Sequence, residues 1–247
     1  MFEREILFSA SETYLKNFKT KPQPIKLNIP KWYKDLQHHA RLKTIKGCMP
    51  FLDTLTSGYL LRMPIDYHLF FNEETEVNGQ LGKYTDYITS EIDGSLANTM
   101  NIGKAHVHGV EQVSEKCPFS HKNKGYSFLK ILNPWKIKTP KGYSCLFLPP
   151  LNNSDDRFSI IPGIVDTDTF PTEVNFPIIL NGDKYEKMDT VIKEGTPYVQ
   201  VIPFKRESWK MKIISEKDNE LIKSRPSGVR GVWHSYKDAF WKKKSWK

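Results

Sequence analysis

The sequence predicts a mainly β fold, an antiparallel barrel or sandwich, on three observations. Short β-branched or aromatic runs crowd the chain from residue 127 onward: FLKILN, YSCLFL, FSIIPGIV, EVNFPIIL, DTVI and YVQVIPF. Turn residues separate them at the close spacing of small β domains, as at Asn133-Pro134, Pro140-Lys141-Gly142, Asn181-Gly182-Asp183 and Glu194-Gly195. Pro162, Pro177, Pro197 and Pro203 sit at or inside these runs. They suit edges, bulges or strand exchange better than the middle of a flat sheet.

The elements follow in chain order. Residues 1–46 read as a basic N-terminal arm, where Lys16, Lys19, Lys21 and Lys26 surround Pro22 and Pro24. Within it IPKWYKDLQHHARL can form a short helix, with Pro30 near its start and Trp32, Tyr33 and Leu36 on one side. Such a helix pins its aromatic face to the body. The same aromatic-basic mixture also suits nucleic-acid contact. Residues 47–204 read as one β domain, with a polar, Gly-rich insertion near 73–126. Residues 205–247 form a basic-aromatic tail. Its last segment, SYKDAFWKKKSWK, predicts an amphipathic helix that buries Tyr236, Phe240 and Trp241 on one face.

Composition bounds the function. Apolar residues make up 38% of the 247, and aromatics, at 13%, are too frequent for a disordered chain. There is no apolar run long enough to cross a membrane as a helix. The charged start MFEREILFSASETYLKNF lacks the apolar core of a secretory signal, so the protein is not expected to be secreted. Cys48, Cys117 and Cys145 are odd in number and widely spaced, which favours a reducing compartment over a disulfide framework. Lys and Arg total 37 against 28 Asp and Glu. That surplus of +9 permits attraction to nucleic acid or an acidic surface.

Four strings between Pro140 and Ile202 carry a first resemblance. They are Pro140-Lys141-Gly142-Tyr143, then Leu148-Pro149-Pro150-Leu151, then Gly163-Ile164-Val165-Asp166-Thr167-Asp168, then Gly195 through Gln200. Their order and spacing resemble the core of the dUTPase and dCTP-deaminase superfamily. That resemblance implies a β-clip, a distorted barrel, and commonly a homo-oligomer. It implies that Asp166 holds a sugar and orients water, and that Asp168 and Gln200 line a nucleotide site with Mg²⁺. The sequence departs from the family pattern where the phosphates are held. Pro149-Pro150-Leu151 replaces a Pro-Arg-Ser motif and offers phosphate no side-chain donor. The family's C-terminal Gly-rich lid is echoed only by Arg225 to Gly231. Read without the resemblance, Asp166 and Asp168 are turn residues capped by Asx hydrogen bonds.

A second resemblance spans nearly the whole chain. The strings IPKWYKDL, TIKGCMPFLDTLTSGYLL, NPWKIKTPKGYSCLF, GIVDTDTF and YKDAFWKKKSWK resemble an uncharacterised family of tailed-phage proteins of the marine cyanophage type. It implies a phage origin, in the virion or in the cytoplasm of an infected host cell, and no established activity.

Two further constellations carry chemistry. His106 and His108, two apart on a strand, place both imidazoles on one face, and Cys117 and His121 follow. Four such ligands can make a tetrahedral zinc site, although the spacing matches no standard finger. In the tail, Trp241 and Trp246 alternate with lysines. That pattern suits partner docking, base stacking or an internal anchor. No Walker loop and no G-x-S-x-G nucleophile motif is present.

The leading reading is a non-catalytic phage-type β-clip protein that binds or assembles, as a homo-oligomer or with another phage protein. It needs no cofactor. Second stands a diverged dUTPase-like nucleotide diphosphatase using Mg. Third stands a metal-binding module built on His106 and His108.

Overall fold

The computed structural model describes residues 4–39, 44–77, 80–89, 106–108, 112–114, 116–123, 128–218 and 235–247. Much of the insertion expected near 73–126, and all of Arg225 to Gly231, lie outside them. The described fold is mainly β with a few short helices, as the strand rhythm predicts.

The N-terminal stretch is woven into the body. β1 (Leu7–Ser9) pairs with β8 (Lys136–Lys138), and β2 (Gln23–Pro24) pairs with β3 (Tyr59–Arg62). Between them α1 (Glu12–Asn17) begins at Ser11, whose hydroxyl accepts the Tyr14 N–H at 3.1 Å and so caps the first turn. α1 drives Tyr14 into the core, stacked on Phe18 at 4.6 Å and edge-on to Trp135 at 5.4 Å. α2 (Lys31–Asp35) starts after Pro30, and α3 (Met49–Thr54) carries Pro50 in its first turn, where a missing N–H costs nothing.

The largest described sheet has the strand order β11-β9-β14-β3-β2, with β9 at Tyr143–Leu148, β11 at Gly163–Val165 and β14 at Pro197–Lys205. β14 is central. It pairs antiparallel with β3 on one side and β9 on the other, and Val199, Gln200 and Val201 are wholly buried. A second sheet orders β10 (Phe158–Ile160), β12 (Phe176–Leu180), β7 (Phe128–Ile131) and β6 (His106–His108). A third places β4 (Tyr67–Val77) between β13 (Met188–Ile192) and β5 (Gln80–Thr89). One apolar core joins the sheets, with Phe147 against Phe176 at 5.4 Å and Phe176 against Tyr198 at 5.8 Å.

The turn into β3 depends on Gly58. Its φ of +82° is a left-handed conformation, and a Cβ there would meet the Val201 carbonyl oxygen of β14 at 2.2 Å. The Gly58 carbonyl meanwhile accepts the Ile25 N–H at 3.1 Å, which ties β2 and the segment after it to this turn.

Two further helices lie off the sheets. α4 (Pro118–Lys122) is one short turn. α5 (Ser235–Ala239) is shorter than the sequence predicts. It leaves Tyr236 and Phe240 about half exposed, and the chain beyond it is not helical. The reason lies at Trp241, whose indole turns away to Asp53 on α3.

Candidate functional site: a carboxylate pair closed by Arg206

The sequence places two aspartates at the end of β11, and the register of that strand fixes where they go. Gly163, Ile164 and Val165 pair with Phe147, Leu146 and Cys145 on β9, so the chain turns at Asp166 directly beside the start of β9. The turn is closed by the Thr169 and Phe170 N–H groups, both donating to the Asp166 carbonyl at 3.0 and 2.9 Å. Thr167 is buried under it. Its hydroxyl donates to Cys145 Sγ at 3.3 Å and lies 2.8 Å from the Thr139 hydroxyl. Burial pushes the Cys145 thiol up to about 11.

The two carboxylates part in environment. Asp166 is 62% exposed and accepts from the Ser144 hydroxyl at 2.6 Å. Asp168 is only 3% exposed. It takes a two-pronged hydrogen bond from the Arg206 guanidinium, with Nη1 donating to Oδ1 at 2.8 Å and Nη2 to Oδ2, and Oδ2 also accepts the Gly142 N–H at 2.8 Å. The Arg206 bond and then the Gly142 N–H hold the Asp168 carboxyl far below the usual carboxylate range.

Arg206 is the residue that closes the site. β14 lies on β9 with Lys205 opposite Tyr143, so the next residue emerges over the 142–144 turn. There its N–H donates to the Gly142 carbonyl at 2.9 Å, and Nη1 reaches the Tyr143 carbonyl at 3.1 Å and Ser144 Oγ at 3.0 Å. Lys138 Nζ adds a donor to the Asp168 carbonyl. The arrangement engages both oxygens of Asp168 and leaves Asp166, ion-paired to Arg206 Nη1 at 3.2 Å, as the more exposed carboxylate.

Gln200 lies apart from this cluster. It pairs with Leu148, three residues along β9 from Cys145, or about 10 Å. It is wholly buried, and both its polar atoms serve backbone. Nε2 donates to the Thr54 and Ser57 carbonyls at 3.1 and 2.8 Å, and Oε1 accepts the Leu151 N–H at 2.8 Å. The Pro149-Pro150-Leu151 loop is thereby pinned to the end of α3, helped by Asn152 Nδ2 donating to Thr54 Oγ1 at 2.7 Å.

The other sequence-derived residues are placed as follows. His108 on β6 has Nδ1 2.6 Å from Gln112 Oε1. Cys117 precedes α4, and His121 stands exposed in its last turn. The side chain of His106 lies outside the described residues. Among the described residues no three His, Cys, Asp or Glu side chains are grouped to hold a metal ion. Trp241 and Trp246 dock on the protein's own surface. The Trp241 indole N–H is shared by both Asp53 oxygens at 3.2 and 3.1 Å, Lys244 pairs with Asp53, and Trp246 meets Tyr59 edge-on at 6.0 Å. An apolar cavity lies between the second and third sheets, lined by Met63, Leu69, Leu129, Ile131, Ile178 and Ile192.

Sequence reasoning missed Arg206 and Ser144. It also passed over the segment that follows. Trp209, Met211 and Ile213 are 88%, 85% and 87% exposed. Their alternation with Lys210 and Lys212 is plain in WKMKI, and it is the signal that could have marked them.

No protein-family model and no curated protein matches this chain. Among solved structures it is similar to the dUTPase of Staphylococcus bacteriophage 80alpha, a glycine-to-serine mutant with dUpNHpp. The likeness covers 87% of this chain and 90% of that one, at 10% identity and a TM-score of 0.35. No described helix is long and apolar enough to cross a membrane.

Proposed function

We propose that this is a non-catalytic assembly protein of β-clip type and phage origin, which associates with a second copy of itself through the extended arm after β14. The carrying observation is the row of Trp209, Met211 and Ile213, three large apolar side chains in water at every second position. Covering each would contribute roughly 1.5–3 kcal/mol before the cost of association. The acceptor is the outer edge of β11. That strand pairs with β9 alone among the described strands and carries the exposed Ile164. An arm from a second copy adds there as a further strand, with backbone bonds giving affinity and alternate side chains giving fit.

The carboxylate pair supports the non-catalytic side of this reading. Asp168 is held by Arg206 and Gly142 and Gln200 by backbone, and both side chains are buried, so neither is presented to a nucleotide or a Mg²⁺ ion. The phage origin rests on the sequence strings, and places the protein in a virion or an infected cell.

Analytical ultracentrifugation tests the proposal. The wild-type chain is expected to sediment as an oligomer at micromolar concentration, and the Trp209→Ser, Met211→Ser, Ile213→Ser variant as a folded monomer. A wild-type monomer at tens of micromolar overturns the assembly. Release of diphosphate from dUTP with Mg²⁺, lost in Asp166→Ala, overturns the non-catalytic reading and restores the diphosphatase.

A further inference from the structure

We infer that the two basic ends of the chain form one surface around α3 that binds single-stranded nucleic acid. This surface is separate from the arm after β14 and does not rest on the oligomer.

α3 spans six residues, about 9 Å, and both ends of the chain meet on it. From the N-terminal side, Tyr33 of α2 stacks on Phe51 at 5.8 Å with 20° between the rings, and Trp32 meets Phe51 edge-on at 6.0 Å. From the C-terminal side, Trp241 and Lys244 hold Asp53, two residues further on. A single short helix thus fixes segments that are just over two hundred residues apart in sequence.

Charge collects there. The described residues 26–39, 44–53 and 235–247 carry nine lysines and three aspartates. Nine minus three is +6, two thirds of the chain's formal +9. Two of the three aspartates are already paired within the patch, Asp35 with Lys31 and Asp53 with Lys244. The field that remains is positive and selects an anionic partner.

Aromatic rings stand among those lysines. Trp32 is held at its edges by Tyr33 and Phe51, near-perpendicular to both, while 47% of it remains in water. Tyr236 and Phe240 lie four apart across α5, so they share one side of it, and both are about half exposed. Lysine alone would suit any polyanion. Anchored rings with exposed surface beside lysine suit unpaired bases, which stack on the rings while their phosphates meet the charges. A duplex hides its base faces, and an acidic peptide has none to stack.

The test uses the full chain and fluorescein-labelled dT20, followed by anisotropy between about 50 and 200 mM salt. Binding is expected to weaken linearly in log salt. Trp32→Ala should weaken it about tenfold, and Trp32→Phe should restore most of the loss. Lys242→Ser with Lys243→Ser, two exposed tail lysines, should lower the salt slope by about 1.4. That variant touches no core residue and decides the matter even if Trp32→Ala unfolds. Absence of binding at the lowest salt overturns the inference. So does unaltered binding in the lysine variant. Equal affinity for a 20-base-pair duplex or for polyglutamate also overturns it, and assigns the patch to generic charge or to an acidic protein. The sedimentation of each variant, measured alongside, separates this outcome from failure of the arm-mediated assembly.

Discussion

At the scale of single residues, hydrogen-bond saturation decides what each polar group can do. Asp168 is buried and held by Arg206 and Gly142, so removing Arg206 leaves a carboxylate with little water to replace its partner. Arg206→Ala should lower the melting temperature clearly. Arg206→Lys should recover only part of it, because an ammonium cannot grip both oxygens. Thermal scans of the two variants check this, and full recovery by Lys would show the fork geometry to be unimportant. Gly58 and Gly142 make a second contrast. Both have left-handed φ, +82° and +85°, but only at Gly58 does a new Cβ strike backbone, while Gly142 faces open space. Gly142→Ala should cost about 1–2 kcal/mol, the ordinary left-handed penalty, and Gly58→Ala clearly more. Denaturant melts giving equal costs would contradict the close approach to Val201. Of the three thiols, Cys48 is exposed, Cys117 half-buried and Cys145 buried. A thiol reagent should label the first two in the native protein and Cys145 only on unfolding.

At the scale of elements, the strands were legible and their partners were not. Alternation and turn residues mark β9 and β14 within a residue or two, and the end of β12 though not its start, because side-chain period and turn chemistry are local. Register is not local. Nothing in the sequence near Arg206 says that Lys205 will lie opposite Tyr143, and that pairing alone carries the guanidinium to Asp168. Gln200 shows the same thing in reverse. Its place after Gly195 resembles a nucleotide-site motif, yet its pairing with Leu148 turns both polar atoms onto the Leu151 loop and the end of α3. The tail misled for a third reason. The spacing of Tyr236, Phe240 and Trp241 favours a helix, but the bond from the Trp241 indole to Asp53 ends it early. Asp53→Ala should therefore release residues 241–247. Trypsin is expected to cut the wild-type tail slowly and that variant's tail quickly at Lys242, Lys243 and Lys244. Equal rates would mean the tail is held elsewhere.

At the scale of the whole molecule, stability should fall at both ends of the pH range. Asp168, Asp66 and Asp156 are all held below their ordinary values, by Arg206, Lys193 and Lys184 respectively. A depressed carboxyl stabilises the fold above its unfolded value of about 4 and loses that contribution as pH drops below it. Cys145 works in the opposite sense. Its thiol is raised to about 11, so the neutral form stabilises the fold below the unfolded value of about 8.5 and the benefit fades from there upward. Tyr14, Tyr33, Tyr59 and Tyr198, raised by desolvation, act in the same direction at higher pH. Urea midpoints should thus be flat between about pH 5 and 8 and decline on either side. A midpoint still rising at pH 10 would contradict the buried thiol.

The strand that feeds the arm is itself anchored deep in the largest described sheet. β14 is gripped on both flanks by antiparallel neighbours, and Arg206 is riveted to the 142–144 turn before the exposed residues begin. Tension on the arm therefore runs along β14 and loads two rows of crosswise hydrogen bonds at once, in shear, instead of peeling them singly. A particle built through such arms would be mechanically stiff at its joints. Under load the three-residue edge of β11 that receives the arm would let go before the sheet that sends it.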